Sequence, residues 1–184
     1  MLPTPEMGQE VMAPKWLTES LQEQIDNAKL ARTDFISGLP NKLAWAERLE
    51  EHRLSRHPLT IMMLDLDRFK KINDTHGHLK GDTCIRDTAT IIMSSVRPDD
   101  FVANTGGDEF AIILDCSTDD PTKIIEIVKS RLTKQFQEYN THNEVELHFS
   151  VGSAISVYDQ NKPHDTYQTF HKADIAMYAE KNNK

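Results

Sequence analysis

Two pairs of acids at tight spacing are the residues best placed to do chemistry. Asp65 and Asp67 directly follow the apolar run Leu59–Leu64, and Asp108 and Glu109 directly follow Gly106-Gly107. Carboxylates delivered from two separate elements suit Mg²⁺, which takes hard oxygen ligands and completes its shell with water and substrate phosphate. The paired glycines allow a tight turn and close approach of a ligand to the backbone. Two other readings stand beside this one. Four acids in turns can simply be solvated. Asp65-Leu66-Asp67 also starts like a calcium loop, but Phe69 and Lys70 fill positions where that loop needs an oxygen ligand and a glycine. No GxxxxGK[ST] loop occurs, so any phosphate must be held by other means.

The elements that position these acids follow from periodicity. Leu59–Leu64 is short and apolar throughout, as in a strand buried on both faces, with Asp65 just past its end. Phe101–Thr105 and Phe110–Leu114 flank the glycines and predict a β-hairpin. Val145, Leu147, Phe149 and Val151 alternate as in a half-buried strand, which Gly152 is expected to bend or bulge. Helices are predicted from Trp16 to about Arg32, from an Asn41 cap to about Arg56, over 80–96, from Pro121 through Phe136, and over 165–182. Residues 1–14, with three prolines and a glycine, read as a flexible leader. The 1–32 segment is then a leader and linker or stalk helix. Leu17, Leu21, Gln24, Ala28 and Ala31 suit either a short coiled coil or a helix lying on the domain. Strands and helices intermix, which predicts an α+β fold: a mixed sheet covered by helices.

Composition narrows the partners. The 184 residues suit one domain with a modest extension. The net charge is −8, the wrong sign for displacing counterions from a duplex, so nucleic acid is not an expected partner. No apolar stretch reaches the length of a membrane span or resembles a signal peptide. Cys84 and Cys116 have no metal spacing and read as reduced thiols. A cytoplasmic domain is expected, whether alone or as part of a larger membrane-anchored protein.

The blocks together resemble the GGDEF family of diguanylate cyclase domains. Gly106-Gly107-Asp108-Glu109-Phe110 spells its signature. Asp34–Lys42 resembles the opening DxLTGLPNR motif. Asp65–Asp74, continuing through Gly77-His78 to Gly81-Asp82, resembles DxDxFKxxND…GHxxGD. Ser150-Val151-Gly152 and Ala173–Tyr178 match the SxG and ADxAxY blocks. The resemblance runs from Thr33 to the end and implies a domain over 33–184. Its implied core is a mostly antiparallel sheet flanked by helices, like the palm of nucleotidyl cyclases. It also implies condensation of two GTP into cyclic di-GMP, with two domains facing each other as a homodimer.

Site roles follow from the same resemblance. Asp65, Asp108 and the carbonyl of Leu66 would hold Mg²⁺, with Mn²⁺ an alternative. Asp108, beside Glu109, would accept the hydroxyl proton, and Lys70 would offset phosphate charge. Asn73 and Asp82 would read guanine. His78 would contact the ligand or fix its loop. Lys181 would bind phosphate, and Gly106 and Gly107 would let substrate approach. Arg97 and Asp100 form the RxxD pattern of the inhibitory product site, with Arg131 a possible addition from a neighbouring subunit.

Three departures bear on activity rather than fold. Asn104-Thr105 replaces the family's Arg-Tyr, Glu180 replaces an alanine, and the family's Gly-Arg-Asn and final strand do not follow Lys184. They motivate an alternative reading, a weak or inactive domain that binds GTP or cyclic di-GMP as a regulatory module.

Overall fold

The computed structural model describes residues 14–116 and 120–184; the predicted leader lies almost wholly outside them. The chain divides into two units, one ending at Ala31 and one spanning Arg32–Lys184. The first contributes helix α1 (Lys15–Ala31), whose Leu21, Ile25 and Leu30 are exposed.

The second unit runs α2 (Lys42–Arg53), β1 (Leu59–Leu66), α3 (Phe69–His76), α4 (His78–Ser95), β2 (Phe101–Gly106), β3 (Glu109–Leu114), α5 (Pro121–His142), β4 (Phe149–Ser156) and α6 (Thr166–Asn182). Caps set several of these boundaries. The Asn41 side chain accepts the N–H groups of Leu43 and Ala44, and Asp120 and Asp165 do the same work for α5 and α6. Gly77, at a φ of 82°, separates α3 from α4.

The four strands form one sheet in the order β2-β3-β1-β4. Every pairing is antiparallel, so the sheet is not mixed. Alternation along β1 divides the core. Leu59, Ile61 and Met63 pack on one face with Trp45 of α2 and Ala173 and Met177 of α6. Met62, Leu64 and Leu66 pack on the other with Ile85 and Ile92 of α4 and Val128, Leu132 and Phe136 of α5. With both faces covered, all eight β1 residues are buried, which is why the run carries no polar alternation. Each large apolar side chain so buried contributes roughly 1.5–3 kcal/mol.

The structure corrects several sequence expectations. Asp65 lies inside β1, not past it, because β3 and β4 both keep pairing there, opposite Glu109 and Ser150. A separate helix, α3, occupies the stretch after Asp67. The strand predicted from Val145 begins only at Phe149. Val145 and Leu147 are buried as the alternation implies, but the Asn140 side chain, not a strand, bonds the Leu147 main chain: its Nδ2 donates to the carbonyl (2.9 Å) and its Oδ1 accepts the N–H (2.8 Å). Gly152 neither bends nor bulges β4, since pairing runs regularly through it to Ser156. A Cβ there would collide with the α6 backbone at Ala173 and Met177, so this glycine serves close helix–sheet packing.

Candidate active site

Parity along β1 fixes where the first acid points. Asp65 continues the Leu59, Ile61, Met63 series and so faces α6, where Lys181 bonds its Oδ1. Asp65 is 6% exposed, so the carboxylate is sheltered while the Lys181 side chain stays 33% exposed. Asp67 is held from three sides. Its N–H donates to the His148 carbonyl (2.8 Å). Ser150 Oγ donates to its Oδ1 (2.6 Å), and Lys184 Nζ lies 3.0 Å from its Oδ2. Lys184 also bonds the Phe149 carbonyl.

The β2–β3 hairpin brings the second acid pair alongside. Gly106 and Gly107 take φ values of 155° and 58°, which only glycine adopts without strain. Glu109 pairs across from Asp65, and the Leu66 N–H donates to the Asp108 carbonyl (3.2 Å). Burial, then the neighbouring Asp65 charge, hold the Asp108 carboxyl above the usual range. Glu109 moves the same way, through burial and then the charges of Asp65, Asp108 and Asp174. Partial burial lowers the Lys181 pKa, but the hydrogen bond and charge of Asp65 outweigh it, and the net shift is upward. The site is thus a group of mutually repelling carboxylates with the Lys181 ammonium beside Asp65 and the Lys184 ammonium beside Asp67.

The predicted nucleotide-binding residues lie on the helix pair that follows. Lys70 is exposed in the first turn of α3 and His78 is exposed at the start of α4. Asn73 leans on α4 at Gly81, where any Cβ would collide with its Oδ1; Asp82 is the next residue. Gly81 belongs to the GHxxGD block, but its service to Asn73 is a packing relation that sequence spacing does not display. Arg68, between Asp67 and α3, takes a left-handed φ of 57°, uncommon for a side chain of this size.

The RxxD pair behaves unevenly. Arg97 is exposed. Asp100 is buried, and its two oxygens accept the N–H groups of Arg97 (2.7 Å) and Asp115 (2.8 Å). Asp100 therefore shapes the turn into β2. Arg131 donates to the Ser95 carbonyl of the same chain (3.4 Å), two residues before Arg97.

Comparison with known proteins decides the family. The model of the diguanylate cyclase GGDEF domain matches residues 31–184. The chain belongs to the GGDEF family. It is 36% identical over 158 residues to the probable diguanylate cyclase DgcT of Escherichia coli, covering 83% of this chain and 34% of that protein. It is 31% identical over 167 residues to the cyclic di-GMP phosphodiesterase PdeR of the same organism, covering 90% and 25%. The chain thus spans between a quarter and about a third of these relatives' length. Among solved structures, the coiled coil and GGDEF domain of DgcB from Caulobacter crescentus, in complex with c-di-GMP, superposes with a TM-score of 0.73 at 27% identity, covering 91% of this chain and 90% of that one. The diguanylate cyclase SiaD from Pseudomonas aeruginosa, in complex with its activator SiaC, gives 0.72 at 27% identity, covering 91% and 66%. The antiparallel sheet flanked by helices is the palm fold of nucleotidyl cyclases. No helix among the described residues is long and apolar enough to cross a membrane, and both cysteines are buried and free.

Proposed function

We propose that this GGDEF domain is a diguanylate cyclase that condenses two GTP into cyclic di-GMP and two pyrophosphates. The observation that carries the reading is the convergence of Asp65, Asp108, Glu109 and Lys181 at one end of the sheet. In each half-reaction a 3′-hydroxyl oxygen bonds to the α-phosphorus of the other GTP as the bond to pyrophosphate breaks. The proton leaves to a carboxylate of the signature, Asp108 or its neighbour Glu109.

The donor set fits Mg²⁺. Among the described residues no group of three or more His, Cys, Asp or Glu side chains is arranged to hold a metal. Two carboxylates with a carbonyl nevertheless match the sparse protein ligation this ion accepts, and the mutual repulsion of the acids is what a divalent cation relieves. Asp65, Asp108 and the Leu66 carbonyl would hold it, with Mn²⁺ an alternative, and it supplies neutralisation of phosphate oxygens. Lys181 and Lys70 add positive charge beside the phosphates. Asp82 accepts the N1–H and exocyclic amine of guanine, and Asn73 adds a further contact; each bond to a charged group contributes roughly 1.5–3 kcal/mol.

Catalysis in this scheme needs two domains face to face, and α1 with its exposed Leu21 and Ile25 offers a helix for pairing two copies. Product inhibition would act through Arg97, with Asp100 holding the turn. The test is incubation of product-stripped protein with GTP and Mg²⁺ at several protein concentrations, with chromatography for cyclic di-GMP. Product forming with a specific activity that rises with concentration is the expected result. GTP binding without product would favour a regulatory nucleotide-binding module. That second reading draws support from the similarity to PdeR, named as a phosphodiesterase, and from the substitution at Asn104.

A further inference from the structure

We infer that Asn104 is a positioning residue that sets the geometry of the signature turn, and hence of Asp108. The inference rests on the cyclase reading for its kinetic consequence, though its geometric part does not. Asn104 is 3% exposed, although it is polar and lies only two residues before the turn. Pairing between β2 and β3 is regular up to Asn104, opposite Phe110, and then shifts, so that Gly106 and not Thr105 stands opposite Glu109. The slip interrupts the regular hydrogen-bond ladder where the acids are presented.

The Asn104 side chain bridges the interruption. Its Oδ1 accepts the Gly106 N–H at 3.0 Å and its Nδ2 donates to the Gly107 carbonyl at 3.0 Å. Both glycines, whose positive φ values leave the turn many alternative conformations, are thereby tied to one planar group. The residue carrying it is held too, because the Asn104 main-chain N–H donates to the Pro40 carbonyl at 2.8 Å. From the other side the Leu66 N–H takes the Asp108 carbonyl. The turn is clamped between β1 and the Asn104 amide, and Asp108 follows Gly107 directly.

In this chain the bridge uses both halves of the amide. The bridge needs one acceptor and one donor on a short planar group. Aspartate supplies only acceptors when ionised, and leucine matches the shape with neither. An acid displaced by a fraction of an ångström still binds substrate but reacts slowly, because placement acts on the chemical step.

The experiment compares wild type with Asn104→Asp and Asn104→Leu. It measures kcat and KM for GTP, together with amide hydrogen exchange over residues 105–109 in the nucleotide-free protein. Asn104→Leu is expected to lower kcat about tenfold or more with KM within about twofold, and to speed exchange at Gly106. Asn104→Asp, which keeps the Gly106 bond, is expected to fall between the two proteins in both readouts. If Asn104→Leu fails to fold, as a thermal melt would show, Asn104→Asp alone carries the comparison. Wild-type kcat in the folded variants, or a rise in KM with kcat unchanged, overturns the kinetic role. If the wild-type protein makes no product, the cyclase reading fails separately. Exchange then decides the brace, and unchanged protection at Gly106 overturns it.

Discussion

The two ends of β2 each carry an aspartate, and the two are held in opposite ways. At the start of the strand, Asp100 is buried with both oxygens bonded to main-chain N–H groups. At the far end, Asp108 is partly buried beside Asp65 and Glu109, with its pKa raised. The first accepts two main-chain N–H groups of its own chain and stabilises a turn. The second is held against like charges. Their surroundings set an acid bonded into a turn apart from one held beside like charges.

The largest expected effect tests the reactive end. Asp108→Asn should cut cyclic di-GMP formation by at least about a hundredfold and, by removing repulsion with Asp65, raise the melting temperature of the metal-free protein. A variant that loses activity and stability together would erase the contrast. Asp100→Ala should do the reverse, removing two hydrogen bonds between a buried carboxylate and main-chain N–H groups, a loss on the order of 1–3 kcal/mol. Chemical denaturation reads that loss, and turnover per folded molecule should change little when product is kept low. Gly81→Ala should push Asn73 out of place and raise KM for GTP several-fold, about 1 kcal/mol of lost contact, with kcat nearly kept; equal KM values would show that Asn73 does not touch the base.

The smallest effect is in pH. An acid whose folded pKa is raised destabilises the fold when ionised. That cost is fully present above the folded pKa and disappears as pH falls toward the unfolded value near 3.8. The melting-temperature advantage of Asp108→Asn, on the order of 2 °C at neutral pH, should therefore shrink on acidification in metal-free buffer. An advantage constant with pH would assign it to packing.

Much of this was legible before any coordinates. The acid pairs, the hairpin and the helices announce themselves through runs and periods that local physics enforces. What escaped was set by partners distant in sequence. The apolar run stops at Leu64, yet β1 continues through Asp65 because two neighbouring strands keep pairing there. Val145 and Leu147 do alternate, but the groups satisfying the Leu147 backbone belong to Asn140 on α5. Gly152 carries no mark distinguishing a bulge from a seat for α6. The service of Ser150 and Lys184 to Asp67 likewise spans chain separations that no spacing rule reports.

The Asn140 contact has a consequence for behaviour in crowded solution. Among the described residues β4 is the outermost strand on its side of the sheet, and unpaired main-chain groups along such a border invite a passing chain to add itself. At Leu147, just ahead of that strand, both main-chain positions are already filled by a side-chain amide. A foreign strand arriving there meets a counterfeit neighbour already in place, and edge-on aggregation loses its first foothold.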